Sequence, residues 1–343
     1  MLVTALVTPL REGGAGIDLE LFGRLAALQL QHGCDQVLVA GTTGEAAALD
    51  ERERLSLLDA ALSVARPEQV MCAIGAGRVP EVIERGRQAL ARGVRDLLLV
   101  DAPYSGASST ALRQAWHEPV ARALPDARLW PYAVPARTGT ELLPDDLARL
   151  AEDCPNVVGV KDATGRLARM ERVRALCGES FTILCGDDPL LRDSMLDPHI
   201  RAQGGCCVAT NLAPRALREL HDAAAAGDAG RARALHDALG PLFELGTVTA
   251  EERLVVGGQA LSVPQRAKNP VPVKAALGLM GVMPDAVRAP LATIGPNGLS
   301  RVRAALRLTL RRHPELLAPL AQGFGLDLAA RLETAVELAR GAR

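Results

Sequence analysis

The sequence predicts an α/β protein: a (β/α)8 TIM barrel followed by a C-terminal helical region. Three observations carry that reading. Eight short apolar runs occur before residue 210, at 2–7, 36–40, 70–74, 96–100, 128–132, 157–160, 181–185 and 206–209. Most are apolar throughout rather than alternating, the pattern of strands covered on both faces of a parallel sheet. Between successive runs lie amphipathic stretches long enough for a helix, and eight β-then-α units are the count of a barrel of about 250 residues. The competing architecture, a doubly wound open sheet, usually has a glycine-rich first turn. Thr8-Pro9-Leu10 is no such turn.

The helical stretches follow in order. Residues 18–32 set Leu19, Phe22, Leu25, Ala26 and Leu30 near helical spacing. Residues 50–65 open with Asp50 as an N-cap and Glu53 three positions on, a capping-box pattern. Others are expected at 80–92, 110–124, 144–152, 167–176, 187–196 and 214–226. Beyond about residue 227 the strand signals stop, and helices are expected at 231–245, 273–280, 299–311 and 326–340. The chain thus divides into a catalytic barrel, 1–226, and a helical region, 227–343. Residues 246–269 read as a polar, glycine-containing connection, in which 253–256 may pair only locally and has no assignable partner.

Bulk properties exclude several functions. The 343 residues are 48% hydrophobic, enough for a large core. Aromatics are 2%, so that core is built from Leu, Val and Ala. Lys plus Arg total 39 against 40 Asp plus Glu, so no basic excess exists for nucleic acid or an anionic membrane. Arg301, Arg303, Arg307, Arg311 and Arg312 read as the solvated face of a helix. No run approaches the ~20 apolar residues of a membrane span, and residues 1–10 lack the basic start of a signal peptide. The seven cysteines contain no C-x-x-C pair, which points to buried reduced thiols and a cytoplasmic location. No His/Asp/Glu cluster has metal spacing, and neither a G-x-S-x-G elbow nor a Walker loop occurs. No metal or cofactor is therefore expected, and a metal-dependent aldolase is disfavoured.

Barrel active sites sit at the C-terminal ends of the strands. Lys161 follows the sixth apolar run. Either burial has lowered its affinity for a proton, leaving an amine that attacks a carbonyl, or it is held in an ion pair with Asp162 or Asp187. Tyr132 ends the fifth run; it is either a proton shuttle or a half-buried strand-end tyrosine. Gly41-Thr42-Thr43-Gly44-Glu45 follows the second run, either as a nest for a carboxylate with a hydroxyl relay or as an ordinary glycine turn. Arg137 offers a guanidinium fork for a carboxylate, or is a surface arginine. Gly186-Asp187-Asp188 follows the seventh run and either shapes the mouth by hydrogen bonds or caps a helix, the cap being the favoured reading for Asp187.

Together these segments resemble the dihydrodipicolinate synthase / N-acetylneuraminate lyase family of class I, pyruvate-dependent aldolases. The resemblance is carried by Val7-Thr8-Pro9, Gly41-Thr42-Thr43-Gly44-Glu45, Tyr132-Ala133-Val134-Pro135-Ala136-Arg137-Thr138-Gly139, Val158-Gly159-Val160-Lys161-Asp162-Ala163-Thr164-Gly165, Cys185-Gly186-Asp187-Asp188 and Asn269-Pro270-Val271-Pro272-Val273-Lys274. It implies that Lys161 forms an imine with pyruvate and that Tyr132 is the acid/base. It implies that Thr42 and Thr43, with Gly41 and Gly186, hold pyruvate, Thr42 joining the proton relay. Arg137 is similar to the arginine that meets the carboxylate of aspartate 4-semialdehyde, and the Ala-Arg-Thr-Gly run favours the dihydrodipicolinate synthase branch. A homo-oligomer, dimer or tetramer, is implied.

The departures are specific. The synthase branch usually carries two adjacent tyrosines after strand four, the second completing a relay across the dimer interface; here the pair is Tyr104-Ser105. The asparagine usual beside the catalytic tyrosine is Ala133. Ala46-Ala47-Ala48 and Gly75-Ala76-Gly77 replace the polar residues of the lysine-feedback pocket, so no inhibition by lysine is expected. Residues 246–268 look like an insertion, and about 35–40 residues extend past the usual C-terminus. The first expected reaction is condensation of pyruvate with aspartate 4-semialdehyde. The second is a sibling lyase, hydratase or dehydratase on another 2-oxo acid such as a deoxy-sugar acid. The third is an inactive barrel kept as a scaffold.

Overall fold

The computed structural model describes residues 1–333. Eight parallel strands close into a barrel in sequence order: β1 Leu2–Ala5, β2 Gln36–Val39, β3 Val70–Ala73, β4 Asp96–Val100, β5 Arg128–Ala133, β6 Gly159–Asp162, β7 Thr182–Cys185 and β8 Gly204–Cys207. Every expected run overlaps a strand, with β6 and β8 displaced by two residues from the runs at 157–160 and 206–209. β1 pairs with both β2 and β8, which closes the ring and leaves no sheet edge.

Alternation along the strands divides the core in two. One set of residues packs outward against the helices. The other fills the barrel, where Val3, Leu38, Met71, Leu98, Trp130, Leu184 and Cys206 form one cluster. Trp130 plugs the interior. Its indole N–H donates to Asp96 Oδ1 at 2.8 Å, and Gln36 Nε2 donates to the other oxygen of that carboxylate at 2.7 Å. Gly159 makes room for the plug, since a Cβ there would stand 2.5 Å from the Trp130 ring.

The capping box at Asp50 forms as expected, with Glu53 N–H donating to Asp50 at 2.8 Å and Asp50 N–H donating to Glu53 at 3.1 Å. The stretch expected as one helix at 110–124 contains a π-helical turn, Arg113–His117, between two α-helical pieces. That at 187–196 splits into a 3-10 turn, Asp188–Leu190, and an α-helix, Leu191–Leu196. After the barrel come helices Ala229–Phe243, Val271–Met280, Pro296–Arg312 and Pro314–Phe324. The helix expected at 326–340 begins within the described residues, and 334–340 lie outside them.

One element corrects the sequence reading. Residues 246–269 are no irregular connection: β9, Thr247–Val256, and β10, Gln259–Lys268, form a ten-rung antiparallel hairpin. Its root packs on the Pro296–Arg312 helix through Val248, Ala250 and Glu252, all buried. There the Glu252 carboxylate accepts the Gly298 N–H at 2.9 Å. The outer half stands in solvent, with Leu254, Val255 and Val256 exposed. Pro264 sits on a two-stranded ribbon, where a missing ladder donor is tolerated.

All seven cysteines are free thiols, six of them buried. No helix among the described residues is long and apolar enough to cross a membrane, and no group of His, Cys, Asp or Glu among them could hold a metal ion.

Candidate active site

The barrel's C-terminal end opens into a cavity of about 450 Å3. Lys161, Tyr132, Thr42, Thr43, Arg137 and Gly186 all line it. Of the residues expected at the site, only Gly41 stands back from it, against a small neighbouring hollow behind the Thr42 loop. A Cβ at Gly41 would lie 2.8 Å from Leu38, so this glycine serves loop packing.

Lys161 sits at the C-terminal end of β6, as expected, paired with Tyr132 on β5 and Leu184 on β7. Alternation turns it inward, and it is only 4% exposed. Its Nζ sits 4.4 Å from the centre of the Tyr132 ring. The ion-pair reading fails. Asp162 is engaged by Arg169 and by the Thr164 hydroxyl at 2.7 Å. Asp187 accepts the Gly165 N–H at 2.9 Å. Among the described residues no carboxylate forms an ion pair with Lys161.

Burial, the largest influence on Lys161, disfavours its ammonium form; the Cys206 thiol and the Tyr132 phenol act the other way and hold it above the ordinary lysine value. Burial pushes the Cys206 thiol up in turn. Among these influences burial alone favours the free amine.

Two aspartates at the rim correct the cap assignment. Asp187 occupies the N-cap position of a 3-10 turn without capping it; its carboxylate ties the loop after β7 to the loop after β6 through Gly165. Asp188 accepts the Val208 N–H at 3.0 Å and the Ala209 N–H at 2.6 Å, holding the loop after β8. Burial raises both carboxyl groups above the usual range.

The Thr-Thr loop is braced by residues to which the sequence attached no role. Asn269 Nδ2 donates to Thr43 Oγ1 at 2.8 Å. The Thr8 hydroxyl donates to the Gly44 carbonyl at 2.7 Å. Glu45, in the left-handed region at φ +58°, forms a fully buried ion pair with Lys274 at 2.5 Å and accepts the Arg288 N–H at 2.9 Å. Asn269 and Lys274 lie in the last segment carrying the resemblance, which was the available signal. Arg137 Nη2 donates to the Asn269 carbonyl at 2.7 Å, so the arginine and the threonine loop meet at one residue.

Tyr104 is fully exposed, also at positive φ, and Ser105 is exposed; neither lines the cavity. Nothing from the chain's own strand-four loop fills the place of the second tyrosine.

A closed barrel with a buried, unpaired lysine stacked on a tyrosine beneath a threonine loop defines a lysine-centred barrel lyase. The dihydrodipicolinate synthetase family model matches residues 1–308, and the chain belongs to that family. The 4-hydroxy-tetrahydrodipicolinate synthase of Geobacter metallireducens is 34% identical over 309 residues, covering 89% of this chain and 97% of that one. Its counterpart from a Synechococcus strain is 36% identical over 311 residues, 90% and 95% of the two chains. The crystal structure of dihydrodipicolinate synthase from Aquifex aeolicus superposes with a TM-score of 0.79 at 29% identity, covering 92% and 98%.

Proposed function

We propose that this protein is a 4-hydroxy-tetrahydrodipicolinate synthase, condensing pyruvate with aspartate 4-semialdehyde. The observation that carries the reading is the Lys161 amine, buried without a carboxylate partner and 4.4 Å from the Tyr132 ring in the cavity. The amine attacks the pyruvate ketone, and the resulting carbinolamine loses water to give an imine. Loss of a methyl proton gives an enamine, whose carbon bonds to the aldehyde carbon of the second substrate. The semialdehyde's own amino group then attacks the imine carbon, closing the ring and expelling the Lys161 amine. Thr42 and Thr43 hold the pyruvate carboxylate, beside Gly186. Tyr132 moves protons at the carbinolamine and at the new alkoxide, with the Thr42 hydroxyl in relay. Arg137 meets the carboxylate of the semialdehyde. The enzyme works in the cytoplasm as a dimer or tetramer, without metal or organic cofactor.

Ser105 and Ala133 favour a second reading, a sibling lyase or dehydratase on a deoxy-sugar 2-oxo acid, since both replace residues usual in the synthase branch. Purified protein supplied with pyruvate and aspartate 4-semialdehyde is expected to consume both. Turnover of a 2-keto-3-deoxy sugar acid without any consumption of the semialdehyde would establish the second reading instead.

Two further outcomes are expected. Tyr132→Phe lowers kcat by roughly 10²–10⁴, the worth of a positioned acid/base; a loss below about threefold removes the phenol from the proton path. Lysine added to the assay leaves the rate unchanged, because Ala46, Ala47, Ala48, Gly75, Ala76 and Gly77 offer its ammonium and carboxylate no side-chain partner; inhibition at millimolar lysine would contradict this.

A further inference from the structure

Beyond the residues named so far, the cavity has a second source of positive charge. β10 ends at the mouth, and two of its last residues, Arg266 and Lys268, line the cavity with Thr247 of β9. Alternate residues of a strand share a face. Arg266 and Lys268 therefore point the same way, and their cross-strand partners are Thr249 and Thr247. The opposite face carries Val248, Ala250 and Glu252, buried on the Pro296–Arg312 helix. A slip of one residue would drive the cations into that interface, so packing sets which face meets the cavity. Asn297 Nδ2, donating to the Glu251 carbonyl at 2.6 Å, reinforces the register.

Among the described residues neither cation forms an ion pair. Asp187 and Glu244 line the same cavity, but Asp187 accepts the Gly165 N–H and Glu244 pairs with neither hairpin cation. Two like charges roughly 7 Å apart along one strand face repel unless an anion lies between them. Asn269 follows Lys268 directly and bonds both Thr43 and Arg137. The hairpin root is thus joined to the proposed pyruvate loop and to Arg137.

We infer that Arg266 and Lys268 form an anion-recognition site for the carboxylate of the acceptor aldehyde, acting beside Arg137 and selecting anionic over neutral acceptors. The inference rests on the reading above that this cavity joins pyruvate to an aldehyde. The bound adduct would then carry two carboxylates, one at Thr42 and Thr43 and the other under the hairpin.

The test uses the whole enzyme and glutarate, a dicarboxylate whose two carboxyl groups are separated by three atoms as they are in the ring-closed product, with butyrate as its monocarboxylate control. Calorimetric titration of the wild type is expected to give tighter binding of glutarate than of butyrate. Arg266→Gln/Lys268→Gln should weaken glutarate by about 10–100-fold, the worth of one or two charge-assisted hydrogen bonds, and leave butyrate within about twofold. In turnover the same variant should raise KM for aspartate 4-semialdehyde at unchanged kcat, and leave the reaction with butanal unaltered. Equal binding of glutarate by wild type and variant, or no preference for glutarate in the wild type, overturns the inference. Borohydride trapping of pyruvate reports separately: if the wild type forms no adduct, the catalytic reading fails, and the glutarate comparison still decides the hairpin's role.

Discussion

Lys161→Ala, incubated with pyruvate and borohydride, is expected to keep the mass of the untreated protein, while the wild type gains one reduced pyruvyl group. The physical case is one of burial without compensation. A lysine is rarely taken out of water unless a carboxylate meets it, yet the two carboxylates that the sequence offered as partners, Asp162 and Asp187, are held by Arg169 and by the Gly165 N–H. An amine kept dry and facing an aromatic ring above a 450 Å3 cavity is set up to attack a carbonyl rather than to bind the fold together. Turnover should fall by at least about 10⁴-fold, as for removal of other covalent nucleophiles. Stability should move the opposite way. Lys161→Met replaces an unpaired buried amine with an apolar chain of similar length, so the midpoint of chemical denaturation should hold or rise, by on the order of 1 kcal/mol. A Lys161→Ala protein that still traps pyruvate, or a Lys161→Met protein that no longer folds, would make this lysine structural.

The contrast between barrel and hairpin shows which physics a sequence displays. Barrel strands are buried on both faces, so most appear as largely apolar runs, and eight of them could be counted. β9 buries one face over part of its length, and the third buried residue on that face is Glu252. Apolar alternation is lost at that point, and Pro264 weakens the partner strand further. The proposed catalytic side chains were legible for a related reason: Lys161 and Tyr132 interrupt or end apolar runs, and a reactive residue at a barrel strand's C-terminal end is conspicuous. Their partners were not legible. Thr43 and Asn269 are 226 residues apart, and Glu45 and Lys274 are 229 apart. Local pattern carries no information about such pairs. It even misled at Asp187, where a helix-cap pattern concealed a bond to the loop after the neighbouring strand.

The Glu45–Lys274 pair is where the second large effect is expected. Lys274 is fully buried, and burial, the largest influence on it, holds its affinity for a proton below that of an ordinary lysine even with Glu45 beside it. Removing one partner strands the other charge in the interior, so Lys274→Ala should cost about 3–5 kcal/mol, lowering Tm by on the order of 5–15 °C. Glu45→Gln/Lys274→Met should recover more than half of that loss, because the amide still accepts the Arg288 N–H and no charge is left unpaired. The consequence for function follows from position. Glu45 closes the loop that begins Gly41-Thr42-Thr43, and it holds a left-handed backbone that a non-glycine residue keeps only when its surroundings insist on it. If the pair is what insists, Lys274→Ala should raise KM for pyruvate by about tenfold or more, the effect of mispositioning a carboxylate site by a fraction of an ångström, and the double variant should restore stability better than it restores KM. Denaturation midpoints and pyruvate titrations on the three proteins measure both. A Lys274→Ala protein less than about 1 kcal/mol below wild type would mean that water reaches Glu45 and that the ion pair does not hold the threonine loop in place.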